Sequence, residues 1–462
     1  MEETKWSVNN AFTKLVEKNE STLLKRLYGL LKIESVLDRF DPSRNAPFGE
    51  GVNEALHYML DLAKKDGFVT KNINNYAAHI EFGEGEDLLG ILCHVDVVPA
   101  NRSEKWESDP FQPELRDGKI YARGAMDDKG PTMAAYMALK LLRDHVEDFA
   151  PKKRIRIILG TDEESGWRGL KEYFKTEEMP TIGFAPDALF PLIYGEKGFF
   201  NFTFEGTYEP GPLVEFYSGL RSNVVPDEAY AILDVDLKEA FERFLGANNY
   251  RGSVDGNKYI IKGKAAHAMA PDSGLNAGYL LAQFLNEHIE NGFIQVIAEK
   301  LLFDALGEKL AIDYYDDEMK NLTMNNGMFR YSKEKVSIHF NCRYPKGYDV
   351  PKAEATLKKE AKKYGLEYVF ESNRPVHYND PNADLVQTLL SVYREGTGDL
   401  ESQPITIGGG TYARSIPNGV AFGMAFPGRI EVAHQANEHV SKSDYLAGTM
   451  LYMAAIKRLA ES

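Results

Sequence analysis

Seven residues from five stretches of the chain are of the types that hold and use divalent cations: His94 and Asp96 in ILCHVDVVP, Asp127 in GAMDDKG, the adjacent Glu163 and Glu164 in TDEESGWRG, Asp187 in FAPD, and His439 in NEHVSKSD. Two divalent cations about 3.5–4 Å apart repel one another, so a site for both needs a bridging carboxylate, further ligands on each ion and a separate base. The set holds a candidate for each job. Asp127 is the expected bridge, His94 and Asp187 complete one ion, and Glu164 and His439 complete the other. Glu163 then stands beside a ligand without being needed as one. A structural ion has no use for such a residue. Hydrolysis does, because a base must take a proton from water and an acid must return one to the leaving amine.

Each residue alone also has a plain structural reading. His94 could be a satisfied polar residue at the end of an apolar run, Asp127 and Asp128 could complement a helix dipole, and Glu163, Glu164, Asp187 and His439 could be solvated turn or surface residues. Position joins them. The apolar runs ending near Cys93, Leu159 and Ala185 are each followed within a few residues by a candidate ligand, and in α/β sheets ligands gather beyond the carboxyl ends of the strands. Asp96, two residues past His94, suits a carboxylate that orients the imidazole.

The elements that must position these residues follow from hydrophobic spacing. Helical periodicity is expected over residues 10–31, 52–64 and 133–143, and strands over 76–80, 88–93 and 154–159. This alternation predicts an α/β fold, a mixed central sheet flanked by helices. The pattern changes near Leu192. Short strand-like runs such as Phe199 to Phe204, with helices over 237–245 and 280–288, predict an inserted α+β lid domain over 192–374, so that 1–191 and 375–462 form one discontinuous catalytic domain. No internal repeat of fixed period is visible.

The 462 residues exceed one ordinary core. A formal net charge of −15 and a pI near 5.3 argue against nucleic acid or anionic membrane as partner, since both require a basic face. The N-terminus MEETKWSVNNAF lacks the apolar run of a signal peptide, and no run of about 18 apolar residues suggests a membrane span. A cytoplasmic location fits, with Cys93 and Cys342 as buried reduced thiols. The run Gly408-Gly409-Gly410 before Thr411 lacks the ending of a phosphate-binding loop, so Gly409 and Gly410 are better candidates for close backbone approach to a peptide.

Longer motifs carry a family resemblance: HVDVVP, Trp106 with DPFQPELRDGKIYARGAMDDKGPT, TDEESGWRG, FAPDALFPLIYGEKG, NVVPDEA, GKAAHAMAP, and GGGTYARSIPNGVAFG with NEHVSKSD. In this order, over nearly the whole length, they resemble the co-catalytic zinc metallopeptidases, a family of dipeptidases, carnosinases and aminoacylases, and most of all its bacterial dipeptidase branch. The resemblance implies a zinc-peptidase-like catalytic domain with a lid. It implies His94, Asp127, Glu164, Asp187 and His439 as ligands of two divalent ions, with Zn2+ expected and Mn2+ or Co2+ as alternatives. It further implies Glu163 as general base, Asp96 as the histidine's partner, His267 as a lid histidine stabilising the oxyanion, and Asn223 and Arg343 as lid groups contacting the substrate. On the residues alone, Asn223 reads equally as a turn former, Arg343 as a snorkelling strand end and His267 as a loop residue. Asp rather than Glu at position 187 favours substrates with a free amino end within this resemblance. The stretch 100–105, where relatives often have a short glycine-containing turn, departs from the pattern and bears on the cleft rim. A lid as long as 192–374 implies that the group a dimeric relative borrows from its neighbour is supplied in cis, hence a monomer.

The expected reaction is hydrolysis of a small unblocked dipeptide, with Glu163 moving the proton and His267 stabilising the oxyanion. An N-acyl amino acid deacylase or carboxypeptidase would use the same residues. A non-catalytic peptide or metal binder is the alternative outside enzymology, and it leaves Glu163 without a purpose.

Overall fold

The computed structural model describes residues 11–100, 105–209, 211–430 and 432–462. Most of the amino-terminal stretch read for a signal peptide, and Asn101 to Glu104 of the departing segment, lie outside the described residues. The chain divides into two compact units: Met1–Tyr194 with Asn379–Ile405 and Gly410–Ser462, and Gly195–Tyr378 with Thr406–Gly409.

The first unit is built on the strand Leu88–His94, in which all seven residues are buried. A strand buried on both faces cannot alternate polar and apolar residues, which is why LLGILCH is a nearly continuous apolar run. It pairs in parallel with Arg154–Gly160 on one side and Ile182–Ala185 on the other, and Gly419–Ala421 continues the parallel set beyond the latter. The strands Ala77–Phe82 and Val69–Ile73 extend the sheet antiparallel beyond Arg154–Gly160. The result is a mixed sheet flanked by helices. Among these, Lys129–His145 packs against Lys442–Glu461 and Glu20–Leu31. Parallel strands need crossover connections, and each crossover delivers the chain from a strand's carboxyl end into a loop and helix on the same edge.

Element boundaries differ from the sequence expectations for local reasons. The helix expected over 10–31 is two, Ala11–Lys18 and Glu20–Leu31, separated at Asn19, whose side-chain amide donates back to the Leu15 carbonyl at 2.9 Å. The helix expected from Met133 begins at Lys129, because the apolar-free stretch before Met133 is nonetheless buried.

The second unit contains an antiparallel sheet in the order Arg251–Asp255, Lys258–Lys262, Glu228–Leu233, Leu213–Ser218, Thr323–Tyr331, Val336–Tyr344, Gly198–Gly206, Glu367–Arg374. Phe200, Phe202 and Phe204 alternate onto its buried face, where Phe202 stacks on Phe340 with centroids 4.3 Å apart. The helices Ala277–Asn286 and Val350–Lys363 contribute Leu280, Leu281, Phe284, Leu285, Ala353, Leu357 and Ala361 to the same core. Cys93 and Cys342 are buried free thiols.

One glycine shows how closely the first unit is packed behind its loops. A Cβ on Gly160 would lie 2.4 Å from the Tyr412 ring and 2.5 Å from its hydroxyl. Tyr412 cannot swing away freely, being 1 % exposed and held edge-on against His94 and Trp167 with centroids at 6.0 and 5.1 Å. Gly160→Ala is expected to destabilise the protein by about 1–3 kcal/mol through overpacking, read as a lower midpoint in denaturant unfolding.

Candidate metal centre

The loops that leave the parallel strands carry the carboxylates. His94 is the last residue of Leu88–His94, Glu163 and Glu164 follow Arg154–Gly160, and Asp187 follows Ile182–Ala185. Asp127 precedes the helix Lys129–His145. These side chains, with one histidine not expected from the sequence, form two overlapping trios: His94, Asp127 and Asp187, and Asp127, Glu164 and His434, each with its ligand atoms within 4.8 Å of one another.

Asp127 divides its two oxygens between them. Its Oδ1 lies 3.2 Å from His94 Nε2, which is also 3.4 Å from Asp187 Oδ2. Its Oδ2 lies 2.9 Å from His434 Nε2, which is 3.1 Å from Glu164 Oε2. His94 Nε2 and Asp127 Oδ1 are buried and lack a hydrogen bond of acceptable geometry. Orphaned polar atoms of this kind are costly unless something else satisfies them. An imidazole nitrogen and carboxylate oxygens converging on one point form a donor set suited to a divalent cation, so the residues present fit the two ions that the sequence implied.

His439 is not part of this arrangement, and the sequence expectation for it is corrected. It begins the short strand His439–Ser441, which pairs antiparallel with Lys119–Tyr121 and faces Tyr121. Its ring packs on Tyr121 with centroids 4.8 Å apart, and its Nδ1 is 2.8 Å from the Asn437 carbonyl. Burial, with Lys119 and Arg116 nearby, lowers its pKa. Alternation explains the placement: Val440 is fully buried, which commits its neighbour His439 to the other face of the strand. His434, five residues earlier in an irregular stretch and with a left-handed φ of 64°, is free of that constraint. The available signal was that a ligand set apart from a regular strand can be aimed by its loop.

Asp96 holds His94 differently from expectation. Its main-chain carbonyl, 2.9 Å from His94 Nδ1, makes the contact, while the carboxylate Oδ1 stands at 3.5 Å. The Nδ1 contact leaves Nε2 turned toward Asp127 and Asp187. The Asp96 carboxylate instead accepts from the Glu164 N–H at 3.2 Å. Asp128 acts similarly on the other side, accepting from the His94 N–H and the Thr132 hydroxyl, both at 2.9 Å.

The electrostatics are those of crowded carboxylates. Burial raises Glu164 to about 7, with Asp127 adding to it against His434, and burial with Asp127 also raises Asp187. Partial desolvation would lower His434, but hydrogen bonds to Asp127 and Glu164 lift it to about 11. Glu163 belongs to neither trio among the described residues. Burial pushes its carboxyl well up, and although His94 opposes this, Glu164, Asp187 and Asp127 add to it. A carboxyl with a raised pKa, beside but outside a ligand set, has the properties of a proton carrier.

The remaining expected residues lie in the second unit, except Gly410. Asn223 and His267 are adjacent there: the Asn223 carbonyl accepts from the Ala268 N–H at 3.0 Å, and Val224 bridges His267. Arg343 donates to Asn341 Oδ1 at 2.8 Å and to the Gly408 carbonyl at 3.2 Å, and lies over the Phe199 ring. A Cβ on Gly408 would stand 3.1 Å from that of Met269, so the His267 segment, Gly408 and Arg343 are neighbours.

A family model for peptidase family M20/M25/M40 matches residues 90–458. The chain belongs to peptidase family M20/M25/M40. It is accordingly a peptide hydrolase. A Staphylococcus aureus (strain MW2) relative, provisionally named a dipeptidase, is 43 % identical over 465 aligned positions, covering 96 % of this chain and 98 % of that protein. Among solved structures, human carnosine dipeptidase 1 matches with TM-score 0.61 at 16 % identity, over 97 % of this chain and 98 % of the other. The Saccharomyces cerevisiae di-peptidase Dug1p matches with TM-score 0.60 at 15 % identity, over 98 % of each. At these identities the two structures attest the fold. No helix among the described residues is long and apolar enough to cross a membrane.

The two histidines can be separated by measurement. His434→Ala is expected to lose one of two bound ions after dialysis, whereas His439→Ala retains both. Metal analysis giving the opposite pattern would return the ligand role to His439.

Proposed function

We propose that the protein is a two-metal dipeptidase that hydrolyses unblocked dipeptides, with Glu163 as its general base. The observation that carries this reading is Asp127, whose two oxygens each face a different histidine within a separate trio. One ion would be held by His94, Asp127 and Asp187, the other by Asp127, Glu164 and His434. Zn2+ is the expected ion, with Mn2+ or Co2+ as alternatives of the same donor chemistry. When bound, the ions supply Lewis acidity that polarises the scissile carbonyl and lowers the pKa of water.

The rest falls to side chains. Glu163 takes a proton from the attacking water, holds it in a site where burial favours the neutral carboxyl, and delivers it to the leaving amine. Asp96, through its carbonyl on His94 and its carboxylate on the Glu164 N–H, keeps one ligand of each trio in place. His267 donates to the developing oxyanion, and Asn223 and Arg343, with the backbone at Gly409 and Gly410, bind the substrate. Their support is the motif resemblance and, for His267 and Arg343, their gathering near Gly408 within the second unit. The choice of dipeptides is supported by Asp187 and by the name of the 43 % identical relative. A monomer in the cytoplasm completes the proposal.

Glu163→Gln is expected to bind both ions while turnover falls by about 10²–10⁴-fold; wild-type turnover would remove Glu163 as base. His267→Ala is expected to lower turnover by about 10²–10³-fold without loss of metal. Assayed on dipeptides, tripeptides and N-acyl amino acids, the wild type is expected to prefer free dipeptides. Preference for acylated amino acids would make it a deacylase.

A further inference from the structure

Glu438 is fully buried and belongs to neither trio, yet it ties together two of the three segments that supply the second ion's ligands, those of Asp127 and His434. Its Oε1 accepts from the N–H of Met126 at 2.9 Å and of Asp127 at 3.2 Å, so it grips the backbone of the shared carboxylate. Its main-chain carbonyl accepts from the Ala122 N–H at 3.1 Å, and its own position lies four residues beyond His434. The other oxygen, Oε2, accepts from Arg123 at 2.6 Å. That guanidinium is 1 % exposed and reaches two more carbonyls, Gln435 in the His434 loop and Pro99 beyond Asp96, each at 3.4 Å.

We propose that Glu438, neutralised by Arg123, is a positioning residue that sets the spacing of His434 from Asp127 and thereby the affinity of the second ion. The inference rests on the two-ion reading of the site. An ion pair buried only for stability could sit anywhere in the core. This one directs both carboxylate oxygens to the Asp127 segment and to Arg123, which in turn reaches the His434 loop more than 300 positions away in sequence. The first trio is tied in addition by Asp128 and Asp96 on His94 and takes no ligand from the His434 loop, so loss of Glu438 acts more strongly on the second ion than on the first, which it reaches only through Asp127. A carboxylate is required. Arg123, Met126 and Asp127 present three donors to two acceptor oxygens, and an amide of the same shape offers only one acceptor and must abandon one side.

The test is titration of the metal-free protein with Zn2+ by calorimetry, alongside thermal unfolding of the same samples. The wild type is expected to bind two ions. Glu438→Gln, which keeps the shape, and Glu438→Asp, which keeps the charge but shortens the reach, are each expected to bind one ion about 10–100-fold more weakly, the range typical of residues that orient ligands, with the other changed by less. A residue that merely stabilised the fold would lower the unfolding temperature and leave both affinities intact. That outcome, equal loss of both ions, or failure of both variants to fold would overturn the inference while leaving the two-ion site standing. A wild type binding fewer than two ions would overturn the site itself, and this inference with it.

Discussion

The governing constraint is repulsion. Asp127, Asp187, Glu163 and Glu164 converge in a part of the first unit where little water screens them, and burial together with mutual charge raises three of the four. Asp127 alone is lowered, because its oxygens meet both histidines. A fold that leaves such a cluster together must hold it by bonds that do not depend on the cluster's own charge balance. Here those bonds are main-chain N–H groups donating to carboxylates outside both trios: His94 to Asp128, Glu164 to Asp96, Met126 and Asp127 to Glu438. Each supplies a main-chain N–H with the acceptor it needs. They also fix backbone, which leaves each ligand side chain only its own rotamers to settle.

The supporting carboxylates bring their own cost, which the structure meets locally. Asp162, fully buried at the root of the Glu163–Glu164 loop, is gripped by Arg168 through its main-chain N–H and both sides of its guanidinium at 2.7–2.9 Å. Glu438 is matched by Arg123. Removing one partner of a buried pair typically costs 3–5 kcal/mol, since the remaining charge has no compensation. The loops are therefore anchored by ion pairs where they leave the sheet.

The sheet and most of the centre were legible because burial on both faces writes a continuous apolar run, and the parallel direction of such runs puts their ends on one edge. Leu88–His94, Arg154–Gly160 and Ile182–Ala185 each announce a ligand this way. His434 was not legible by that logic. It lies in no apolar run, and His439, next to the alternating Val440 and Ser441, looks better placed in one dimension although strand geometry turns it toward Tyr121. The supporting contacts were legible only in part. Asp96 was expected near His94, but that its carbonyl rather than its carboxylate meets Nδ1 depends on backbone dihedrals just past the strand, where side-chain periodicity no longer applies. Glu438 gave no signal because its partners are 311 and 312 positions away.

The two trios are unequal, and the inequality follows from the same architecture. His94 ends a central strand and is 1 % exposed, whereas the His434 side chain is 54 % exposed on an irregular loop. The first trio takes His94 directly from the sheet ladder, where it pairs with Gly160, and Asp187 from just beyond a paired strand. The second inherits half of its geometry from a loop whose path is fixed by hydrogen bonds around Glu438 and by the short pairing of His439–Ser441 with Lys119–Tyr121. Asp127 belongs to both, so any displacement of the His434 loop acts on the carboxylate that the first trio shares. A shift of the looser half therefore reaches the tighter one only through the Asp127 side chain, whose backbone is held at Met126 and Asp127 by the buried Glu438.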